Sequence, residues 1–297
     1  MPKGAARPGT RRAPARTSPR FSASTTAVVA IGAVVLVVVV LVIVKVSGPS
    51  TAVTSHDHAP AVTPASAAVV AALTGIPVSE MDAVGLPPSV TAPTVDSSQP
   101  PLVLHGKPGA IYIGGEFCPN CASERWAVIA AFAKFGSFRG LKETTSSPWD
   151  GTPFATFSFT GATYSSTLVT FEPVEYEGND TNGLGTRKVI HSLTTVQSQL
   201  WTAYSDRFSG GREGFPFVDI GNRALVIGRS YDPSVLTGLS QKEIAARLSH
   251  PSDPVTQGVV GATTYLTAAI CSMTGRQPAA VCSATAVTAA AQAMGLH

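Results

Sequence analysis

Residues 27–44, AVVAIGAVVLVVVVLVIV, carry no charge and only one glycine, and no other segment restricts the fold of this chain so strongly. Eighteen such residues reach the lower end of the length that crosses a bilayer as a helix, roughly 17–25 residues. Thr25, Thr26 and Val46 can lengthen that helix, and Lys45 can snorkel to the headgroups. The run exceeds the ordinary signal-peptide core of about 7–15 residues, which favours an uncleaved anchor. The small residues of VSGPSTAVTSHDHA leave cleavage as the alternative.

Charge orients the anchor. Lys3, Arg7, Arg11, Arg12, Arg16 and Arg20 precede the apolar run, with no acidic residue among them. Positive flanks stay in the cytoplasm, so everything from about residue 48 is expected outside. The basic tail reads as a topology signal attracted to anionic lipid rather than as a nucleic-acid arm. Seven of the 21 Lys and Arg lie before residue 48, which leaves 14 bases against 18 acids outside. An external part with that balance has no electrostatic footprint for nucleic acid. All four cysteines, Cys118, Cys121, Cys271 and Cys282, fall on that side, where disulfides form. An even count reads as two pairs, and four cysteines allow three connectivities.

The 297 residues therefore divide into a disordered basic tail (1–24), an anchor (25–47), a polar, Pro-containing tether with a short helix (48–101) and a folded domain (102–297). His56-Asp57-His58 in the tether reads as solvated rather than as a metal site. A helix is expected at 66–74, capped by Ser66 and stopped by Gly75, with 76–100 draped over the domain. Ala110–Gly114 is a short apolar run between glycines and predicts a buried strand. Pro119 suits a first helical turn. Trp126, Ile129, Ala130 and Ala133 then recur at helical spacing until Gly136. Residues 154–161 alternate as a strand, and 167–177 predict another, more exposed one. Asn179-Asp180-Thr181 matches a glycosylation acceptor. An amphipathic helix is expected at 192–208, a hairpin from 217–221 and 224–228, a helix at 239–248 with a Ser240/Glu243 capping box, and two helices at 259–273 and 279–294.

Cys118-Pro119-Asn120-Cys121 sits at the turn from strand to helix. There the first thiol meets unpaired backbone N–H groups and the positive end of the helix dipole, which favour a thiolate. A thiolate attacks disulfides, and a second thiol one turn further in resolves the mixed disulfide. Cys118 is thus the expected nucleophile and Cys121 the resolving thiol. A zinc site would need a second close pair, but Cys271 and Cys282 are eleven residues apart in apolar, helical surroundings. Those two read as a staple between the last helices, with a second redox pair as the rival. Glu116 and Arg125 flank the motif and are expected at the solvated surface.

Phe215-Pro216-Phe217 stands just before a strand, a hairpin and a helix. With strand 110–114, the CPNC turn, helix 122–135 and strand 154–160, this order resembles the thioredoxin superfamily over roughly 108–250. The resemblance implies an α/β thioredoxin-like fold with a helical insertion and a C-terminal helical hairpin, preceded by one transmembrane helix. It implies that Pro216 is the cis proline facing the cysteines. It also implies a substrate groove shaped by Phe215, Pro216, Pro119 and Asn120. Three features depart from it: Phe117 stands where Trp is common, Pro-Asn matches neither the reducing nor the strongly oxidising dipeptide, and the 162–214 connection is long and carries an extra helix. The layout of anchor, short helix, GIPVSEMDAVG and FCPNC resembles the membrane-anchored, thioredoxin-like family called domain of unknown function 929. The expected activity is thiol–disulfide exchange on envelope or secreted proteins or with a membrane redox partner, without a cofactor or metal. The alternative is a non-catalytic binding module of the envelope.

Overall fold

The computed structural model describes residues 59–181 and 186–296. The segments expected to be tail, anchor and the first part of the tether lie outside the described residues. Among the described residues no single helix is long and apolar enough to cross a membrane.

In chain order the main elements are α1 (Ala67–Thr74), α2 (Val78–Val84), β1 (Lys107–Gly115), α3 (Pro119–Phe132), β2 (Lys142–Thr145), β3 (Ala155–Ser158), β4 (Thr170–Thr181), β5 (Arg187–Val189), α4 (Thr195–Ser209), β6 (Phe217–Ile220), β7 (Ala224–Ile227), α5 (Gln241–Arg247), α6 (Pro254–Met273) and α7 (Thr285–Met294). The chain is a mixed α/β protein. Its principal sheet runs β5-β4-β1-β6-β7 and ends in a short strand, Thr94–Val95. β1 and β4 are parallel, with Ala110 opposite Phe171 and Gly114 opposite Glu175. β6 is antiparallel to both β1 and β7.

Period-two alternation divides the sheet between two cores. Ala110, Tyr112, Phe171, Val218 and Val226 face the larger core, with Trp126, Phe132 and the apolar side of α6. Ile111, Ile113, Phe217 and Leu225 face α4, where Trp201 and Tyr204 cover them. α4 starts at a Thr194/Gln197 capping box and ends at Gly210 in the left-handed region, φ 61°.

Several expectations are revised. The strand expected at 154–161 forms over Ala155–Ser158 but belongs to a separate three-stranded sheet with β2 and Thr63–Pro64. The parallel partner of β1 is instead β4, so the 162–214 connection supplies a central strand and the helix on the second face. Its irregular alternation, with Phe171 and Glu175 buried between half-exposed neighbours, reflects partial cover on both faces. The region 76–100 contains α2, which packs on α6 through buried Met81. α6 begins five residues earlier than its apolar pattern suggests, because Asp253 caps it and Pro254 occupies its first turn. The last helix is broken: a single turn at Ala279–Cys282 precedes α7. Asn179 is buried, with no hydrogen-bond partner for its amide among the described residues, so the acceptor motif is not displayed on the surface.

Candidate active site

α3 begins at the cysteine motif because Cys118 adopts the extended conformation of a cap, φ −76° and ψ 124°, and Pro119 fixes the first helical residue. The Cys118 Sγ accepts from the Cys121 backbone N–H at 3.4 Å, so a thiol occupies the place of the usual capping oxygen. Asn120 completes the turn, its carbonyl accepting from Ser123 Oγ at 2.9 Å. The two cysteines are free thiols; Cys118 is 8 % exposed and Cys121 is fully buried.

The Phe215–Pro216 peptide is cis. Its loop brings the Phe215 carbonyl to 3.8 Å from Cys118 Sγ, the thiol donating. Pro119 and Asn120 follow the first cysteine in the turn, and the Phe215 carbonyl, just before Pro216, lies against its sulfur. Aromatic side chains shape the approach. Phe117 meets Phe215 edge to face at 6.1 Å, and Phe215 stacks on Trp201 at 5.2 Å. The Arg187 guanidinium lies 4.6 Å over Phe117 and 5.8 Å over Trp149, is paired with Asp150, and donates to Ser147 Oγ at 3.2 Å. Trp149 remains 43 % exposed at the rim.

The two thiols differ electrostatically. Donation from the Cys121 thiol pulls the Cys118 pKa below the ordinary thiol value, against the opposing effect of burial, with help from the Cys121 N–H and the Arg125 charge. Burial pushes Cys121 well upward, and the neighbouring Cys118 sulfur adds to that. One thiol is thus biased toward the anion and the other held protonated, which suits nucleophile and resolving partner.

Sequence reasoning missed what lies beneath. Arg125 and Glu116 are buried, not solvated. Residues Cys121 to Phe132 are covered on every side, because α3 is enclosed by the principal sheet, β3 and α6. Arg125 meets Glu175 of β4 through Nε to Oε1 at 2.8 Å and Nη2 to Oε2 at 2.6 Å. Glu116 accepts from Ser158 Oγ at 2.6 Å and Thr160 Oγ1 at 2.9 Å. Glu124 accepts from the Ser230 backbone N–H at 2.9 Å and Ser230 Oγ at 2.8 Å. A signal was present: a helix that is apolar around its circumference is buried, so charges within it need partners.

Cys271 and Cys282 form a disulfide between α6 and the single turn that follows it. Met273, at the end of α6, packs on Gly221 in the β6–β7 turn, so the disulfide lies at the opposite end of the sheet from Cys118. Among the described residues no group of three or more His, Cys, Asp or Glu could hold a metal ion.

The family model described as a domain of unknown function (DUF929) matches residues 94–272, which takes in β1 through nearly all of α6 and with them the cysteine motif, Glu175 and Pro216. Neither the curated proteins nor the solved structures contain a match to the chain.

Proposed function

The chain belongs to the DUF929 family, and from the geometry of its cysteine pair we propose that it is a membrane-anchored, extracytoplasmic thiol–disulfide oxidoreductase with a thioredoxin-like fold. The observation that carries this reading is the asymmetry of two free thiols one helical turn apart. Cys118 caps α3 and is acidified, while Cys121 is buried and held protonated. The fold reading is supported by the parallel β1–β4 pair, the antiparallel β6–β7 hairpin, helices on both faces and the Pro216 loop opposite the thiols. The apolar run at 27–44 and its basic flank support the anchor and its orientation.

In the reductive direction the Cys118 thiolate attacks one sulfur of a substrate disulfide. A Cys118–substrate disulfide forms and the other substrate sulfur leaves as a thiolate that takes up a proton. Cys121 then loses its proton and attacks Cys118. The Cys118–Cys121 bond forms, and the second substrate thiolate leaves and is protonated. The substrate gains two electrons and the cysteine pair loses two; oxidation of a dithiol runs the same steps in reverse. Cys118→Ala abolishes dithiol-driven reduction of a protein disulfide. Cys121→Ser accumulates mixed disulfides through Cys118, and the captured proteins identify the substrates. Unchanged turnover in Cys118→Ala overturns the proposal.

One observation favours the second reading, a non-catalytic envelope-binding module: Cys118 is only 8 % exposed, with Phe117 and Phe215 beside it. Selective alkylation of Cys118 at mildly acidic pH, with cycling of the pair, excludes that reading.

A further inference from the structure

A fully buried ion pair directly under a redox-active turn needs a reason, because removing two charges from water costs several kcal/mol per ion. Arg125 and Glu175 form such a pair one turn beyond Cys121. The carboxylate accepts three hydrogen bonds. Its Oε1 accepts from Arg125 Nε and, at 3.3 Å, from the Phe159 backbone N–H, and its Oε2 accepts from Arg125 Nη2. Neither oxygen is hydrogen-bonded to a sulfur among the described residues. The guanidinium has more reach. Nη2 also donates to the Gly115 carbonyl at 2.8 Å, and the Gly115 N–H donates to Cys121 Sγ at 3.5 Å. Nη1 is buried and has no hydrogen-bond partner among the described residues.

We propose that Arg125 is a positioning residue that sets the redox balance of the Cys118–Cys121 pair: anchored by Glu175 and clamped to Gly115, its guanidinium supplies the buried positive charge against which the sulfur anions form. The inference rests on the oxidoreductase reading. The ionisable groups around the sulfurs are Tyr112 and Glu116 at and just beyond β1, Arg125 of α3 and Glu175 of β4. Glu116 is held by Ser158 and Thr160, and burial keeps the Tyr112 hydroxyl protonated. Arg187, paired with Asp150 and lying over Phe117, is the other cation near Cys118, and Arg125 is the one hydrogen-bonded to Gly115, whose N–H meets Cys121 Sγ. Its attraction for Cys121 outranks the repulsion from Glu175, in keeping with the placement of the guanidinium on the Gly115 side of the pair.

The test uses the full-length protein and two readouts independent of turnover: the midpoint pH of Cys118 alkylation by iodoacetamide, and the equilibrium constant with glutathione. Arg125→Met combined with Glu175→Gln removes the cation without stranding a buried carboxylate. The midpoint rises by about one pH unit, so Cys118 alkylates about tenfold more slowly at pH values below the wild-type midpoint. At pH values above both midpoints the reduced form loses stability about tenfold, which makes the pair about 30 mV more reducing. Glu175→Gln alone keeps the cation and removes its counterion, so both readouts shift the other way. Arg125→Lys keeps the charge and stays within about threefold of wild type. A merely structural clamp would move the double variant and Glu175→Gln in the same direction, and that result, or unchanged midpoints in the folded double variant, overturns the inference. If the double variant does not fold, Glu175→Gln decides, and a midpoint that rises or stays put is fatal. A wild-type protein that does not exchange with glutathione overturns the oxidoreductase reading instead, while the alkylation midpoints still judge the role of Arg125.

Discussion

At the scale of residues, α3 carries more charge into the interior than a helix of its length ordinarily does, and each charge is settled differently. Arg125 has a bidentate counterion, whereas Glu124 has only the two Ser230 donors and no cation. Burial therefore raises Glu124 from 4.5 to about 7, and Asp219 in β6 is raised from 3.8 to about 7 for the same reason. Between the unfolded and folded values the native chain holds protons that the unfolded chain has released. Stability therefore falls as pH rises through that window, by up to about 3 kcal/mol for Glu124 and about 4 kcal/mol for Asp219. Urea unfolding should give a higher free energy near pH 5 than near pH 8, and Glu124→Gln should remove roughly half of that difference. A stability that rises from pH 5 to pH 8 would contradict both assignments. The thiols were legible in the sequence at this scale, since cysteine spacing and Pro119 are local signals. Arg125 and Glu116 were not, because their burial depends on β3 and α6 closing over the helix from far along the chain.

At the scale of elements, α3 is the hub, and Trp126 is its largest fully buried side chain. Its ring meets Phe157 edge to face at 4.7 Å, and Nε1 donates to the Ala155 carbonyl at 3.0 Å, so it joins α3 to the small sheet. Trp126→Ala should cost about 3–5 kcal/mol. Trp126→Phe should cost less, since it keeps most of the apolar contact and loses one hydrogen bond of about 1 kcal/mol. Urea titrations of the two variants check the ranking, and equal losses would mean that packing at this position is not limiting. The element at 154–161 shows why strand existence was readable and sheet membership was not. Ala155–Ser158 has strand composition, but all four residues are buried, and pairing with β2 rather than β1 is decided by chain segments absent from any local window. β4 is the converse. Its composition reads as a more exposed strand, yet the long loop-and-hairpin excursion after α3 returns it to the interior of the sheet, parallel to β1. α6 was recognised by its apolar stretch and misjudged at its start, where Thr256, Gln257 and Gly258 interrupt the stretch and capping by Asp253 takes over.

At the scale of the whole molecule, the Cys118–Cys121 turn and the Cys271–Cys282 disulfide occupy opposite ends of the principal sheet. The Cys271–Cys282 bond closes a short loop beside α7, and loss of such a closure costs roughly 2–4 kcal/mol. Replacing both cysteines with alanine should lower the unfolding free energy by that amount and leave Cys118 alkylation unchanged. A changed alkylation rate would make the pair a redox partner of Cys118 instead. The proposed membrane attachment rests on residues 1–47 alone, where an uncharged run of bilayer length meets a wholly basic flank. The full chain is therefore expected to stay with membranes through an alkaline carbonate wash. Cys118 is expected to react with a membrane-impermeant maleimide in intact cells, and deletion of residues 1–47 should release the protein from the membrane fraction. Recovery of a shortened chain in the wash would mean the run is a cleaved signal peptide. Labelling that requires lysis would place the cysteines in a reducing compartment, where the Cys271–Cys282 bond would not persist. The same labelling experiment thus bears on the orientation of the anchor and on the redox setting in which Cys118 and Cys121 must work.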